Sequence, residues 1–450
     1  MARRPCAAFV ALLAMALMPS ACNRGDSRLV TIEWSSIQQT IDGFGAASNE
    51  TAFVQPLSDR EMDFFYTTSG LGFSLLRIRD YPGKAECESD SAVDVCVAIP
   101  GATLLATDLK AAQMAVARGA RVWSSQWSPP ASMKANGDFM KGGAFLGSAE
   151  NYTALASLFA RFVSYMASQG VSLLALSPQN EPDMSAWYPS ATWTPRQIHD
   201  FVPYLDAAFR LAGVATKILI AEQSHWEPRF RLWRPSFQYA ADAMSDPAVA
   251  SRVGILAAHN YDQRDPSSPP KIPNLTSQHV WQTEVSTPDA FDGGIANALV
   301  WARRVHYFLS AARVNAFHYW YLTPGPKNHD NQTLVDLNGQ VALRAYAIGN
   351  WSRFVRPGWH AVAVHGRGPL LVTAFQDEER SGAAIVAVNS EVAASVEQRF
   401  EVGDVMGASV TPWLTTIDST LKAQQPVPVI EGAFSYSVPP QAIVTFVGRR

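Results

Sequence analysis

Cysteine is scarce in this sequence of 450 residues, with four in all. Cys6 and Cys22 fall in or at the end of an N-terminal leader, and only Cys87 and Cys96 remain, close together in one polar loop. That excludes a disulfide-built scaffold. It also leaves no structural zinc site, because two thiols without a nearby histidine lack ligands. In an oxidising compartment Cys87 and Cys96 are expected to pair and pin their loop. An excess of one charge is missing too. Lys and Arg number 36 against 39 Asp and Glu, a net charge of -3, so there is no basic face for a nucleic acid. The apolar run Ala7 to Met18 is too short to span a bilayer. No Gly-x-Ser-x-Gly elbow is present for a serine hydrolase. The glycines of Asp42-Gly43-Phe44-Gly45 lack the following helix that dinucleotide binding needs.

The first 22 residues read as a processing segment. Arg3 and Arg4 supply its positive start, Ala7 to Met18 its apolar centre, and Pro19-Ser20-Ala21-Cys22 its end. Small residues before a cysteine resemble a lipoprotein cleavage box, although Leu is usual where Pro19 stands. Two expectations therefore stay open: a secreted protein, or a cell-surface lipoprotein anchored only through Cys22. Residues 23–40 form a linker and a strand, Leu29 to Trp34, expected to join a C-terminal β-domain.

What the chain has in quantity is apolar runs and rings: 48% hydrophobic residues, with 13 Trp, 13 Tyr and 22 Phe. Leu173-Leu174-Ala175-Leu176-Ser177-Pro178-Gln179-Asn180-Glu181-Pro182 sets the pattern. A short apolar run, the mark of a strand covered on both faces, stops in a polar tip bounded by proline. Similar runs begin at Ile41, Leu75, Arg121, Lys217, Gly254, His279 and Ala316. Most are followed by a helical pattern, such as 151–169, with Leu155, Leu158, Phe159, Phe162, Val163 and Met166 on one face. Eight strands alternating with helices over residues 41–357 predict an α/β fold, a TIM (β/α)8 barrel; an open doubly wound sheet is the competing arrangement. From 358 to 450 short strands follow without helices, and an appended β-sandwich is expected.

The barrel carries the chemical argument. Its strands point their carboxyl ends to one face, so Glu181 after the fourth and Glu284 after the seventh can approach across the mouth. Two carboxylates in different environments are what glycoside hydrolysis requires. Arg77, from the second strand, is placed to hold Glu284 ionised. Asn180 is placed to bond a sugar hydroxyl. Trp127, Trp226, Tyr261 and Trp320 stand at strand ends, where aromatic faces suit sugar C–H surfaces. His225, His259, His279 and His318 lie on separate segments without metal-ligand spacing, and no metal or cofactor is expected.

These residues stand in motifs that resemble glycoside hydrolase family 30. The motifs are Asp42-Gly43-Phe44-Gly45, Leu76-Arg77-Ile78, Gln126-Trp127-Ser128-Pro129-Pro130, Gln179-Asn180-Glu181-Pro182, Trp281-Gln282-Thr283-Glu284 and Arg353-Phe354-Val355-Arg356-Pro357-Gly358. The likeness runs from about residue 29 to the end and is nearest to the bacterial and fungal xylanases. It implies a retaining hydrolase with Glu181 as acid/base and Glu284 as nucleophile, and Asn180 and Trp127 at the sugar being cleaved. Members strict for glucuronoxylan carry arginines just after the last barrel strand. Here Tyr321 is followed by Leu322-Thr323-Pro324-Gly325-Pro326, and the nearest cation is Lys327. The expectation is therefore a monomeric endo-β-1,4-xylanase acting on a polysaccharide or oligosaccharide without a strict glucuronic acid requirement. Its rivals are a β-1,6-glucanase or galactanase, a glucosylceramidase-like β-glucosidase, and an inactive carbohydrate-binding surface protein.

Overall fold

The computed structural model describes residues 29–49, 57–80, 104–227, 237–324, 329–366 and 368–450. The leader with Cys22, the Cys87 and Cys96 loop and Lys327 lie outside the described residues. Strand β1 (Leu29–Thr40) precedes eight strands that close on one another. They are β2 (Gly43–Asn49), β3 (Leu75–Asp80), β4 (Arg121–Gln126), β5 (Leu173–Ser177), β6 (Lys217–Gln223), β7 (Val253–Ala258), β8 (His279–Gln282) and β9 (Ala316–Thr323). Neighbours are parallel all the way round, and β2 pairs with β9. Helices α1 (Asp59–Tyr66), α2 (Leu104–Val116), α3 (Ala149–Ser168) and α4 (Pro195–Ala212) follow β2 to β5 in turn. α5 (Gln238–Ser245) and α6 (Pro247–Ala250) follow β6, and α7 (Ile295–Ser310) and α8 (Leu343–Ser352) follow β8 and β9. A proline-rich loop without a helix joins β7 to β8.

The strands read as apolar runs because both faces are covered. Leu76, Ile78, Leu176, Ile220 and Leu256 face outward onto the helices, within one large core. Leu75, Trp123, Ala175, Leu219, Ile255, Ala257, Trp281 and Ala316 fill the barrel interior as a second core. Local signals set the helix ends. Thr194 caps α4 through the Gln197 amide while the Gln197 side chain returns to the Thr194 N–H, and Pro195 occupies the first turn. Gly213 ends that helix at φ 65, a left-handed conformation that glycine adopts without a Cβ penalty.

After α8 the chain is all β: β10 (His360–Gly366), β11 (Leu371–Gln376), β12 (Gly382–Asn389), β13 (Val396–Glu401), β14 (Ser409–Thr416), β15 (Ser419–Ala423), β16 (Val427–Pro428), β17 (Ala433–Val438) and β18 (Ala442–Arg449). They form one mixed sheet in the order β15-β14-β18-β12-β11-β10-β1-β13-β17, with β16 on β14. The sheet curls until its parts face each other like a sandwich, and Phe400, Phe434 and Phe446 meet across it with ring centroids 4.9–5.2 Å apart. β1 joins this sheet as expected, antiparallel to β10 and parallel to β13. α8 fastens the sheet to the barrel. Trp351 Nε1 donates to Thr373 Oγ1 (2.9 Å), Asn350 Nδ2 to Thr415 Oγ1 (2.8 Å), and Thr445 Oγ1 to the Asn350 carbonyl (2.7 Å). Among the described residues no helix is long and apolar enough to cross a membrane.

Candidate active site

Side chains alternate along a strand, so the residue two places beyond an inward apolar one also points inward. On β3, Leu75 is followed in this way by Arg77, and on β4 Trp123 is followed by Ser125. Past Ala257 of β7 stands His259, and past Ala316 on β9 stands His318. The carboxyl end of the barrel is therefore lined by polar groups. β6 breaks the alternation. A register shift falls between Ala221 and Gln223, and Ala221 and Glu222 both have positive φ, 77 and 40. The extra residue leaves Ala221 in the outer core and turns Glu222 inward. Glu181, just past β5, is also left-handed at φ 47. Such strain in non-glycine residues gathers where function holds it.

Arg77 is the hub. It is fully buried and donates from Nη1 to Glu284 Oε2, and from Nη2 to Glu222 Oε1 (2.5 Å) and Asn180 Oδ1 (2.6 Å). The Trp127 ring lies 4.6 Å from its guanidinium carbon, with Trp123 and Trp320 at 5.2 and 5.4 Å. Glu284 accepts a second bond from the Tyr261 hydroxyl (2.6 Å), and Glu181 accepts one from the Tyr188 hydroxyl (3.0 Å). His259 stands between the carboxylates. Its Nδ1 is 3.1 Å from Glu181 Oε1, and its Nε2 lies 3.6 Å from Glu222 and 3.7 Å from Glu284. Oxygens of Glu181 and Glu284 lie within 4.8 Å of each other.

Three carboxylates thus share one guanidinium and one imidazole. Burial opposes a cationic His259, but the charge of Glu284, the bond to Glu181 and the close Glu222 carboxylate outweigh it and raise the imidazole to about 10. Burial would also raise Glu181; the His259 bond and charge, with Tyr188 and Arg77, hold it below the usual carboxylate range instead. Glu222 is held low in the same way, by Arg77, His259 and Ser125 against its burial. The reverse holds for Glu284. Burial and the Glu181 charge push it up, against His259, Arg77 and the Tyr261 bond. The expected Arg77–Glu284 contact is therefore present without a net lowering of Glu284, because burial and the Glu181 charge outweigh it. His318 behaves otherwise. It receives the Trp123 Nε1–H at Nε2 (3.0 Å) and sits by the Gln282 carbonyl through Nδ1 (3.1 Å), and burial lowers it to about 3.

The loops above the barrel are tied together. The buried Lys134 ammonium donates to Ser128 Oγ (3.1 Å) and to the carbonyls of Phe139 (3.0 Å) and Ser190 (2.7 Å). Phe145 and Trp193 stack at 3.9 Å. These contacts brace the segment that delivers Tyr188 to Glu181.

Most of the residues picked out from sequence meet here: Glu181, Glu284, Asn180, Trp127, Arg77, Tyr261 and Trp320. Two need correction. Trp226 is 1% exposed and packs edge-on against Phe237 and Phe308 in the helical layer, away from the cleft, because β6 ends before it and the chain turns outward. Arg77 is 0% exposed, so it holds carboxylates and does not contact substrate. Glu222, His259 and Tyr188 were not singled out as site residues. His259 directly follows β7, as Glu181 and Glu284 closely follow β5 and β8; Glu222 lies within β6 itself, and Tyr188 comes from the long loop after β5. Glu181, His259 and Glu284 have the compactness of a metal cluster. Their donor atoms are turned onto Tyr188, Tyr261, Arg77 and one another.

The family model of the glycosyl hydrolase family 30 TIM-barrel domain matches residues 41–294. The chain belongs to glycosyl hydrolase family 30. It is thus a glycoside hydrolase of a retaining family. It is 27% identical over 462 residues to glucuronoxylanase XynC of Bacillus subtilis, covering 98% of this chain and 96% of that one. Among solved structures, the family 30 subfamily 8 xylanase Xyn30A of Clostridium acetobutylicum superposes with a TM-score of 0.79 at 27% identity, covering 94% of this chain and 100% of that one. A family 30 endoxylanase from Clostridium papyrosolvens C71 gives 0.72 at 25% identity, with 94% and 100% covered.

Proposed function

We propose that this enzyme is an endo-β-1,4-xylanase that cleaves chains with little dependence on glucuronic acid branches, with Glu284 as nucleophile and Glu181 as acid/base. The observation that carries the catalytic part is the approach of the two carboxylates to within 4.8 Å across the barrel mouth. Retaining hydrolysis works with carboxyl groups about 5–5.5 Å apart, whereas inversion leaves room for a water at about 6.5–9.5 Å. In the first step a Glu284 oxygen bonds to the anomeric carbon as the bond to the leaving oxygen breaks, and Glu181 gives that oxygen a proton. In the second, Glu181 takes a proton from water as the water displaces Glu284. Tyr261 and Arg77 keep Glu284 aimed, and Tyr188 does the same for Glu181.

The substrate reading rests on the xylanases that resemble the chain over nearly its whole length. A glucuronic acid carboxylate wants a bidentate arginine. Leu322 to Pro326 carries no charge. Arg79 is engaged with Asp108 through Nε and Nη2, both at 3.1 Å. By the same reading the enzyme works outside the cytoplasm, as the leader sequence and the size of its substrate both favour. Rates on glucuronoxylan and on undecorated linear xylo-oligosaccharides should lie close together. A preference for the decorated chain above about a hundredfold, roughly 2.7 kcal/mol, would overturn the specificity. Inactivity on both, with cleavage of a β-1,6-glycan, would move the enzyme to another substrate of the same fold.

A further inference from the structure

Glu222 has no part in the two steps just described, yet it binds Arg77 and the Glu181 backbone and lies 3.6 Å from His259. Its Oε1 accepts from Arg77 and its Oε2 from Ser125 Oγ (2.6 Å), and its backbone carbonyl accepts the Glu181 N–H (3.0 Å). His259 Nε2 points between Glu222 and Glu284 at ion-pair distance, without a hydrogen bond to either. The carboxylate is wholly buried, and two consecutive left-handed non-glycine residues bring it inward. A third buried carboxylate is costly unless its charge is used. With Glu181 and Glu284 it makes three negative charges, against Arg77 and a protonated His259.

We propose that Glu222 is a positioning residue that keeps His259 protonated and turned onto Glu181, so that the proton Glu181 gives the leaving group is held between the two. Charge and atoms balance. Before cleavage the proton lies on His259, and Glu181, Glu222 and Glu284 are anionic. As the glycosidic bond breaks, the proton passes through Glu181 to the leaving oxygen. His259 becomes neutral and Glu284 loses its charge in the new bond, while Glu181 and Glu222 remain anionic. Attack by water then returns one proton by way of Glu181 to His259. The charged and titratable groups facing Glu222 are Arg77 from β3, Glu181 after β5, His259 after β7, Glu284 after β8 and the neutral His318 of β9. Burial opposes the His259 charge, and Glu222 is one of the three carboxylates that restore it.

The proposal rests on Glu181 being the acid. Its test is Glu222→Gln, which keeps size and the Ser125 bond but removes a negative charge. Losing that charge lowers the pKa of His259 and of Glu284 together. Both limbs of the pH dependence of kcat/KM should therefore move to lower pH by about one unit. Activity at pH 7, between the two limbs, should change little, while it should fall by about tenfold on the alkaline limb, above about pH 10, and rise on the acid limb. An unchanged profile, or a loss equal at every pH, would overturn the proposal by reducing Glu222 to scaffolding. Nitrogen NMR of His259 in the wild-type enzyme is a second measurement that needs no variant. Protonation at pH 8 is expected, and a neutral ring there would overturn the proposal. Failure of Glu181 as acid is read separately, through leaving-group dependence in Glu181→Ala.

Discussion

Two levels of one barrel interior stand a single pleat apart. Leu75, Trp123, Ala175, Ala257 and Ala316 form a dry apolar plug. Two residues further along the same strands come Arg77, Ser125, Ser177, His259 and His318. The lower level contributes burial energy, and any group of the right volume serves there. The upper level holds buried charges whose solvation has been given up, and it persists only because nearly every ion has a partner. The same backbone thus carries a stabilising layer and a strained, reactive one. The barrel's lower packing makes the upper geometry rigid enough to use.

The sharpest division between the two levels lies in turnover. Glu284→Gln should lower activity by about 10^4-fold or more, some 5.5 kcal/mol of barrier, while the fold and unfolding midpoint are retained. Activity within about tenfold of wild type would remove Glu284 from the nucleophile's role. Glu181→Ala should cost about 10^2–10^4-fold on substrates with poor leaving groups and far less on activated aryl glycosides. Equal losses on both would argue that Glu181 does not protonate the leaving oxygen.

Stability should divide the levels differently. Ile255→Ala, in the plug, leaves a cavity and should cost about 2–5 kcal/mol in denaturant unfolding with near-normal activity per folded molecule. Arg77→Met should cost a similar amount, about 3–5 kcal/mol, because it strands Glu222 and Glu284 without their cation. It should also abolish turnover. If Arg77→Met were as stable as wild type, the carboxylates would not depend on that guanidinium.

The smallest effect concerns pH. Burial holds His306 at about 4 and His318 at about 3 in the folded state, against 6.5 for an ordinary histidine. Between those values the unfolded chain binds more protons. The stability these rings contribute is present above pH 6.5 and is lost as pH falls toward 4 and 3. Each ring contributes a slope of up to about 1.4 kcal/mol per pH unit. His306 lies outside the site, so His306→Asn should flatten the decline by about that slope without changing the pH profile of catalysis. A decline of unchanged steepness would mean that His306 is protonated in the fold.

Much of this was legible in the residues. The eight apolar runs from Ile41 to Tyr321 became β2 to β9 in order, because strands covered on both faces need continuous apolar sequence. Glu181 and Glu284 were visible because each follows such a run. Glu222 escaped for a definite reason. Strict alternation from Leu219 points Ala221 and Gln223 inward, and only the bulge reverses them. His259 was weighed as a metal ligand and set aside, since its partners Glu181, Glu222 and Glu284 lie on segments far apart in sequence that meet only through strand pairing. Trp226 misled in the opposite sense. Its place after a strand suggested the cleft, but Phe237 and Phe308 claim it.

β1 has a consequence for how the molecule comes into being. Its backbone pairs with β10 and β13, its Trp34 Nε1 donates to the Val402 carbonyl (2.8 Å), and Thr31 Oγ1 donates to Glu401 (3.0 Å). β1, the first of the described strands to be made, therefore has no partner strand in its sheet until residues 360–366 have followed it. Val30, Ile32 and Trp34 must wait as an unpaired apolar edge while the whole barrel is made, a hazard for aggregation. β1 thus joins α8 in fastening the side sheet to the barrel. The side sheet cannot be cut away as a removable appendage, because the barrel's own leading segment is woven through its middle.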